Sequence, residues 1–120
     1  MRVNEKTYSF YILTNIQKTV LYCGMTNNLE QRIIEHYLSC GDPKTFCGRY
    51  HCYWLIYFEH FPYPMAAIVR EKEVKKWRRE KKNKLIEGMN PEWNFLNYEL
   101  FESWPPPAER LFHRKDLNKM

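Results

Sequence analysis

Arg32 and His36 stand four residues apart, so on a helix both can reach the same spot. A guanidinium and an imidazole together can hold an anion and handle a proton, although a surface pair with no chemistry has the same spacing. Glu71 is the second candidate. On a helical wheel it lies between Ile68 on one side and Ala67 and Val74 on the other, which puts a carboxylate on the buried side. An unpartnered charge there costs on the order of several kcal/mol, so it demands a cation, a metal ion or a proton; an ion pair with a nearby Arg or Lys is the plain alternative. A third feature is the basic run Lys75, Lys76, Arg78, Arg79, Lys81, Lys82 and Lys84, which suits a polyanion or is simply a solvated helix face.

These residues must be positioned by one small fold. At 120 residues the chain can bury one modest core but not two independent ones. Nine Tyr, seven Phe and four Trp make a disordered chain a poor reading. Tyr8 to Thr14 and Thr19 to Cys23 read as a β-hairpin, with Gly24 breaking the second strand. Asn28 followed by Gln31 resembles a capping box and predicts a helix to about Tyr37, its apolar stripe Leu29, Ile33 and Tyr37, with Arg32 and His36 on one margin. Cys40 to Tyr50 reads as a loop, His51 to Phe58 as a third, central strand. Pro64 opens a helix to about Trp77, and a basic helix follows from about Arg79 to Glu87, ahead of Gly88 and Pro91. The expected architecture is α/β (α+β), a three-stranded, mostly antiparallel sheet flanked by helices. A core domain over 8–97 and a loosely packed tail over 98–120, containing Trp104 and three prolines, complete the expectation.

The tripeptide Ser9-Phe10-Tyr11 and, after ten intervening residues, Tyr22-Cys23-Gly24 resemble the two tripeptides that name the GIY-YIG nuclease superfamily. Later positions agree in order and spacing: Arg32 eight residues beyond Gly24, His36 one turn on, Glu71 in an R-E-x-x-x-K stretch, and Asn94 closing P-x-x-N. The stretch from about Tyr8 to Leu96 is similar to small stand-alone bacterial GIY-YIG proteins and, more distantly, to the amino-terminal nuclease domain of a bacterial excinuclease. Ser9 in place of the first motif glycine and Cys23 in place of an isoleucine are the departures.

What the resemblance implies is hydrolysis of a DNA phosphodiester by an activated water, with one Mg²⁺ or Mn²⁺ held by Glu71 and substrate oxygens. By the same resemblance Tyr11 takes the proton of the attacking water, directly or through a neighbour. That role needs a lowered phenol pKa, for which Arg32 and the metal are expected causes. Tyr22 orients the water or the scissile phosphate, or exchanges roles with Tyr11; Arg32 stabilises the developing charge, His36 positions water or protonates the leaving oxygen, and Asn94 fastens the carboxyl-terminal segment or orients the site. Without the motif, both tyrosines read as core aromatics of the hairpin.

Lys75, Lys76, Arg78, Arg79, Lys81 and Lys82 are expected to meet backbone phosphates of DNA, including single-stranded or branched forms, with steep salt dependence and little base preference. Tyr50, Tyr53 and Trp54 are candidates for stacking on bases. Two other readings stand beside the endonuclease: a nucleic-acid-binding module with a vestigial site, and a protein-interaction adaptor working through its tail. A recruiting protein or homodimerisation fits a chain with no room for a separate DNA-binding domain. Four cysteines match no zinc pattern, and neither a secretory signal nor a membrane-spanning run is evident, so a cytoplasmic location is expected.

Overall fold

A computed structural model describes residues 7–112. Three strands, β1 (Tyr8–Thr14), β2 (Leu21–Thr26) and β3 (Trp54–Phe61), form an antiparallel sheet in the order β2-β1-β3. Helices flank it: α1 (Leu29–Leu38), α2 (Phe46–Tyr50), α3 (Pro64–Lys75), α4 (Arg79–Met89), α5 (Asn97–Leu100) and α6 (Ala108–Leu111).

As the central strand, β1 is buried on both faces, and its alternating side chains sort into two cores. Tyr11 and Leu13 pack with Leu55 from β3, Ile33 and Ile34 of α1, Cys47 of α2 and the carboxyl-terminal segment. Phe10 and Ile12 pack on the opposite face with Val74 of α3 and Ile86 of α4. A bulge beside Ile12 and Leu13 shifts the β1–β3 register, so the consecutive residues Ile56 and Tyr57 both join the second core.

Several expected boundaries move. Gly24 does not end β2, which runs on to Thr26 with Gly24 paired to Tyr11. The strand expected over His51–Phe58 begins at Trp54 and ends at Phe61, because His51 instead closes the short helix α2 in a left-handed conformation (φ 59°), and that strand lies at the edge of the sheet rather than at its centre. That helix was not foreseen in the Cys40–Tyr50 loop; Thr45 caps it by accepting from the Gly48 N–H. In α1 the Asn28 side chain accepts from the Gln31 N–H as expected, but Ile34 rather than Tyr37 completes the buried stripe with Leu29 and Ile33.

The segment after Tyr98 does not hang loose. Phe101 is buried in the first core, with Leu100, Trp104 and Leu111 packed against it. The Trp104 ring meets those of Tyr37 and Phe101 at about 5 Å, and Arg110 reaches Glu30 of α1 at 3.3 Å. Two buried asparagines tie this end of the chain to the outer edge of β3. Asn97 accepts from the Leu55 N–H and donates to the Tyr53 carbonyl; Asn90 donates to the Ile56 carbonyl. They satisfy backbone groups that an edge strand would leave open. Residues 113–120 of the expected tail lie outside the described residues.

Candidate active site

β1 carries Tyr11 at its middle, wholly buried between Gly24 of β2 and Phe58 of β3. A Cβ added at Gly24 would stand 2.5 Å from the Tyr11 phenolic oxygen and 2.6 Å from the ring carbon that bears it. Glycine is therefore needed at position 24 for room: Tyr11 lies across it. Among the described residues the Tyr11 hydroxyl has one side-chain hydrogen-bond partner by geometry, Nε2 of His36 at 3.1 Å. Because α1 packs Ile33 and Ile34 into the first core, His36 and Arg32, one turn apart, face the hairpin as the spacing predicts.

Tyr22 projects from β2 beside them. Its ring lies 5.4 Å from that of His36, edge-on, and 6.3 Å from that of Tyr11. Together Tyr22, Arg32, His36, Thr45, Phe46 and Cys47 border an open cleft of about 310 Å³. A second groove of about 300 Å³ adjoins it past Arg32 and Glu35, bounded by Thr26 and Asn28. Arg32 stands on the ridge between them. Glu35 accepts from one of its terminal nitrogens at 3.0 Å, while the side chain is 46 % exposed, so the rest of the fork can meet an anion in either groove.

The electrostatics differ from expectation at Tyr11. Burial drives its pKa up, assisted by the neighbouring Tyr22 phenol; Arg32 pulls the other way and does not prevail. Arg32 by itself therefore does not bring the Tyr11 pKa down, and the hydroxyl holds its proton at neutral pH. His36 is shifted down to about 4, first by burial and then by the Arg32 charge. It is neutral at pH 7 and, in the tautomer protonated at Nδ1, able to accept at Nε2. Burial, with Cys47 next, also raises Tyr22, against the cations Lys75 and Arg32.

Glu71 sits on α3, which packs against β1 and β2. Its side chain is 17 % exposed, and Oε2 accepts from Lys75 Nζ at 2.9 Å. The side chain is partly buried and its carboxylate is partnered by a cation, the ion pair that was the plain alternative. Glu71 and Lys75 lie close enough to Tyr22 for both charges to act on it, in opposite directions. Among the described residues no three His, Cys, Asp or Glu side chains gather to hold a metal by themselves.

Other expected site residues fall elsewhere. Asn94 is exposed and no side-chain hydrogen bond links it to Tyr11, Tyr22, Arg32, His36 or Glu71 among the described residues; only its backbone takes part, with Asn90. Fastening the carboxyl-terminal segment is the work of Asn90 and Asn97. In the basic run, Lys75 is engaged by Glu71. Arg79 donates to the Thr19 and Lys18 carbonyls in the hairpin turn and to Asn83, so it braces the turn and its fork is occupied. Lys81 lies 4.2 Å over the Trp77 ring. Lys76 and Arg78 are exposed and Lys82 partly so, without such partners among the described residues. The site residues unforeseen in the sequence are Phe46, Thr45 and Cys47, all set by α2; Thr45 three residues before Gly48 was the available signal, a helix cap where a loop was read.

Residues 7–85 match the GIY-YIG catalytic domain. The UPF0213 protein of Haloquadratum walsbyi is 32 % identical over 80 residues, which cover 67 % of this chain and 88 % of that one. A UPF0213 protein of Bacillus pumilus is 32 % identical over 90 residues, 75 % and 89 % of the two chains. One from Clostridium perfringens reaches 46 % over a shorter 66 residues, 55 % of this chain and 69 % of its own. No solved structure gives a significant match. The match spans about two thirds of the sequence, and the chain belongs to the GIY-YIG catalytic-domain family, within the nuclease superfamily of that name.

Proposed function

We propose that the protein is a divalent-metal-dependent endonuclease that hydrolyses phosphodiester bonds in DNA. The observation that carries this reading is a buried Tyr11 hydroxyl hydrogen-bonded to His36, which itself lines a cleft together with Tyr22 and Arg32. A buried phenol that holds its proton is a poor base by itself but a good relay. As an attacking water loses its proton to Tyr11 Oη, Tyr11 passes its own to His36 Nε2, and the phenol ends as it began. Tyr22 Oη, at the rim, can donate to a phosphate oxygen and fix the direction of attack. Arg32 meets the charge that grows on the phosphoryl oxygens.

The donor set fits Mg²⁺ or Mn²⁺. Such ions keep most of their waters and need only one or two protein carboxylates, whereas a structural zinc site needs four protein ligands; Glu71 would supply one hard oxygen near Tyr22. Lys75, 57 % exposed, can swing away from it. When bound there, the ion supplies Lewis-acid neutralisation of the phosphoryl charge. Lys76, Arg78 and Lys82, on and around α4, extend a positive surface that suits the strand's backbone phosphates.

Purified protein incubated with labelled single-stranded, duplex and branched DNA tests the reading. Cleavage in Mg²⁺ or Mn²⁺, abolished by chelator, is the expected result. Salt-dependent binding with no cleavage of any substrate in either metal would replace the nuclease by a binding module.

A further inference from the structure

Helix α2 is a rigid turn that presents two aromatic rings to solvent. Cys47 and Gly48 are buried, and a Cβ at Gly48 would stand 2.7 Å from Thr45 Oγ1 and 2.8 Å from the Ser39 carbonyl oxygen, so the turn is seated without slack. On its outer side Phe46 and Tyr50, four apart and hence on one face, are 45 % and 41 % exposed. Their centroids are 4.8 Å apart. Phe46 in turn stacks on Tyr22 at 6.0 Å with planes 28° apart. An aromatic path therefore leads from the Tyr11–His36 pair through Tyr22 to the surface. Lys44 and Arg49, both exposed, flank it.

The other aromatics of this region behave differently. Tyr53 and Trp54 turn inward to Trp104, and Trp54 also stacks on Phe95 at 4.4 Å. The Phe46–Tyr50 pair stays out beside the cleft, though burial is the favoured state of a Phe ring. Flat apolar rings flanked by cations are the chemistry that recognises an unpaired nucleobase, whose face is open for stacking and whose phosphates are close by.

We propose that Phe46 and Tyr50 form a nucleobase-stacking subsite that receives an unpaired base of the strand being cut, beside the scissile phosphate, with Lys44 and Arg49 meeting that strand's backbone. The location of the scissile phosphate rests on the hydrolytic reading above. A fully paired duplex offers no open base face, so the subsite selects strands in which one is free, either a single strand or a base turned out of a helix.

The test is done in chelator, so that cleavage plays no part, with DNA carrying 2-aminopurine as the stacking reporter. On a single strand, wild type should change the reporter's fluorescence. Phe46→Ala and Tyr50→Ala should each weaken binding about tenfold and abolish the change. Affinity for a fully paired duplex should stay within about twofold, and so should that of Phe46→Trp and Tyr50→Phe for the single strand. Thermal melts close to wild type will show that the exposed rings were not needed for folding. A response also from a duplex with one mismatched 2-aminopurine assigns the subsite to turned-out bases as well; a response from the single strand alone confines it to free strands. Alanine variants that bind and perturb the single strand like wild type, or that lose single-strand and duplex affinity alike, overturn the subsite. Metal-dependent cleavage by wild type in a parallel reaction would then leave the nuclease reading standing, while stacking without cleavage would do the reverse.

Discussion

Tyr11 and Gly24 form one functional unit, because the ring crosses the space where any other residue would carry its Cβ. Gly24→Ala should destabilise the fold by about 1–3 kcal/mol, the usual range for overpacking, and displace the Tyr11 hydroxyl from His36; urea denaturation and the loss of cleavage measure the two effects. The His36 titration is a second prediction at this scale. With its pKa near 4 in the folded protein and 6.5 as the ordinary value, the folded state binds fewer protons than the unfolded one between those limits. Stability should therefore fall as pH drops from about 6.5 towards 4 and level off below, and His36→Asn should flatten that slope. An imidazole NMR titration with a midpoint near 6.5 would contradict the burial argument. Glu71 was legible in the sequence because a carboxylate on an apolar helix face breaks the pattern, whereas the state of Tyr11 was not. Its pKa depends on how much of the ring is desolvated against one guanidinium, a balance that spacing does not contain.

Elements were legible where the local signal was strong. Asn28 at the start of α1 and Pro64 at the start of α3 set those helices by chemistry internal to the segment. The start of β3 and the existence of α2 were missed for one reason: the aromatic run from Tyr50 to Trp54 has strand composition, but the cap at Thr45 and the left-handed His51 commit its first part to a helical turn. The carboxyl-terminal segment was misjudged because its packing depends on distant partners, Asn97 on β3 and Trp104 on Tyr37. Phe101→Ala should cost about 3–5 kcal/mol. Asn97→Ala, which leaves the buried Leu55 N–H without a partner, should cost about 1–3 kcal/mol; denaturant titrations will show whether this segment is core, as argued, or an appendage with no effect on stability.

For the molecule as a whole, the basic run divides into residues that bind within the protein and residues available to a ligand. Arg79→Ala should lower stability through the hairpin turn it braces while leaving the salt dependence of DNA binding nearly unchanged. Arg78→Ala should instead leave folding intact and reduce the slope of log affinity against log salt by about 0.7 to 0.9. Anisotropy titrations at several salt concentrations distinguish them, and equal slopes for all variants would remove this face from the interface. No helix among the described residues is long and apolar enough to cross a membrane. Single-turnover cleavage of labelled DNA in Mn²⁺ tests the proposed relay from Tyr11 to His36 together with the proposed metal-holding role of Glu71. Wild type should cut; folded Tyr11→Phe and Glu71→Gln should bind with similar affinity but cut at least about a hundredfold more slowly, the scale of a lost general-base step. Cleavage by both variants at the wild-type rate would show that neither side chain takes part in the reaction.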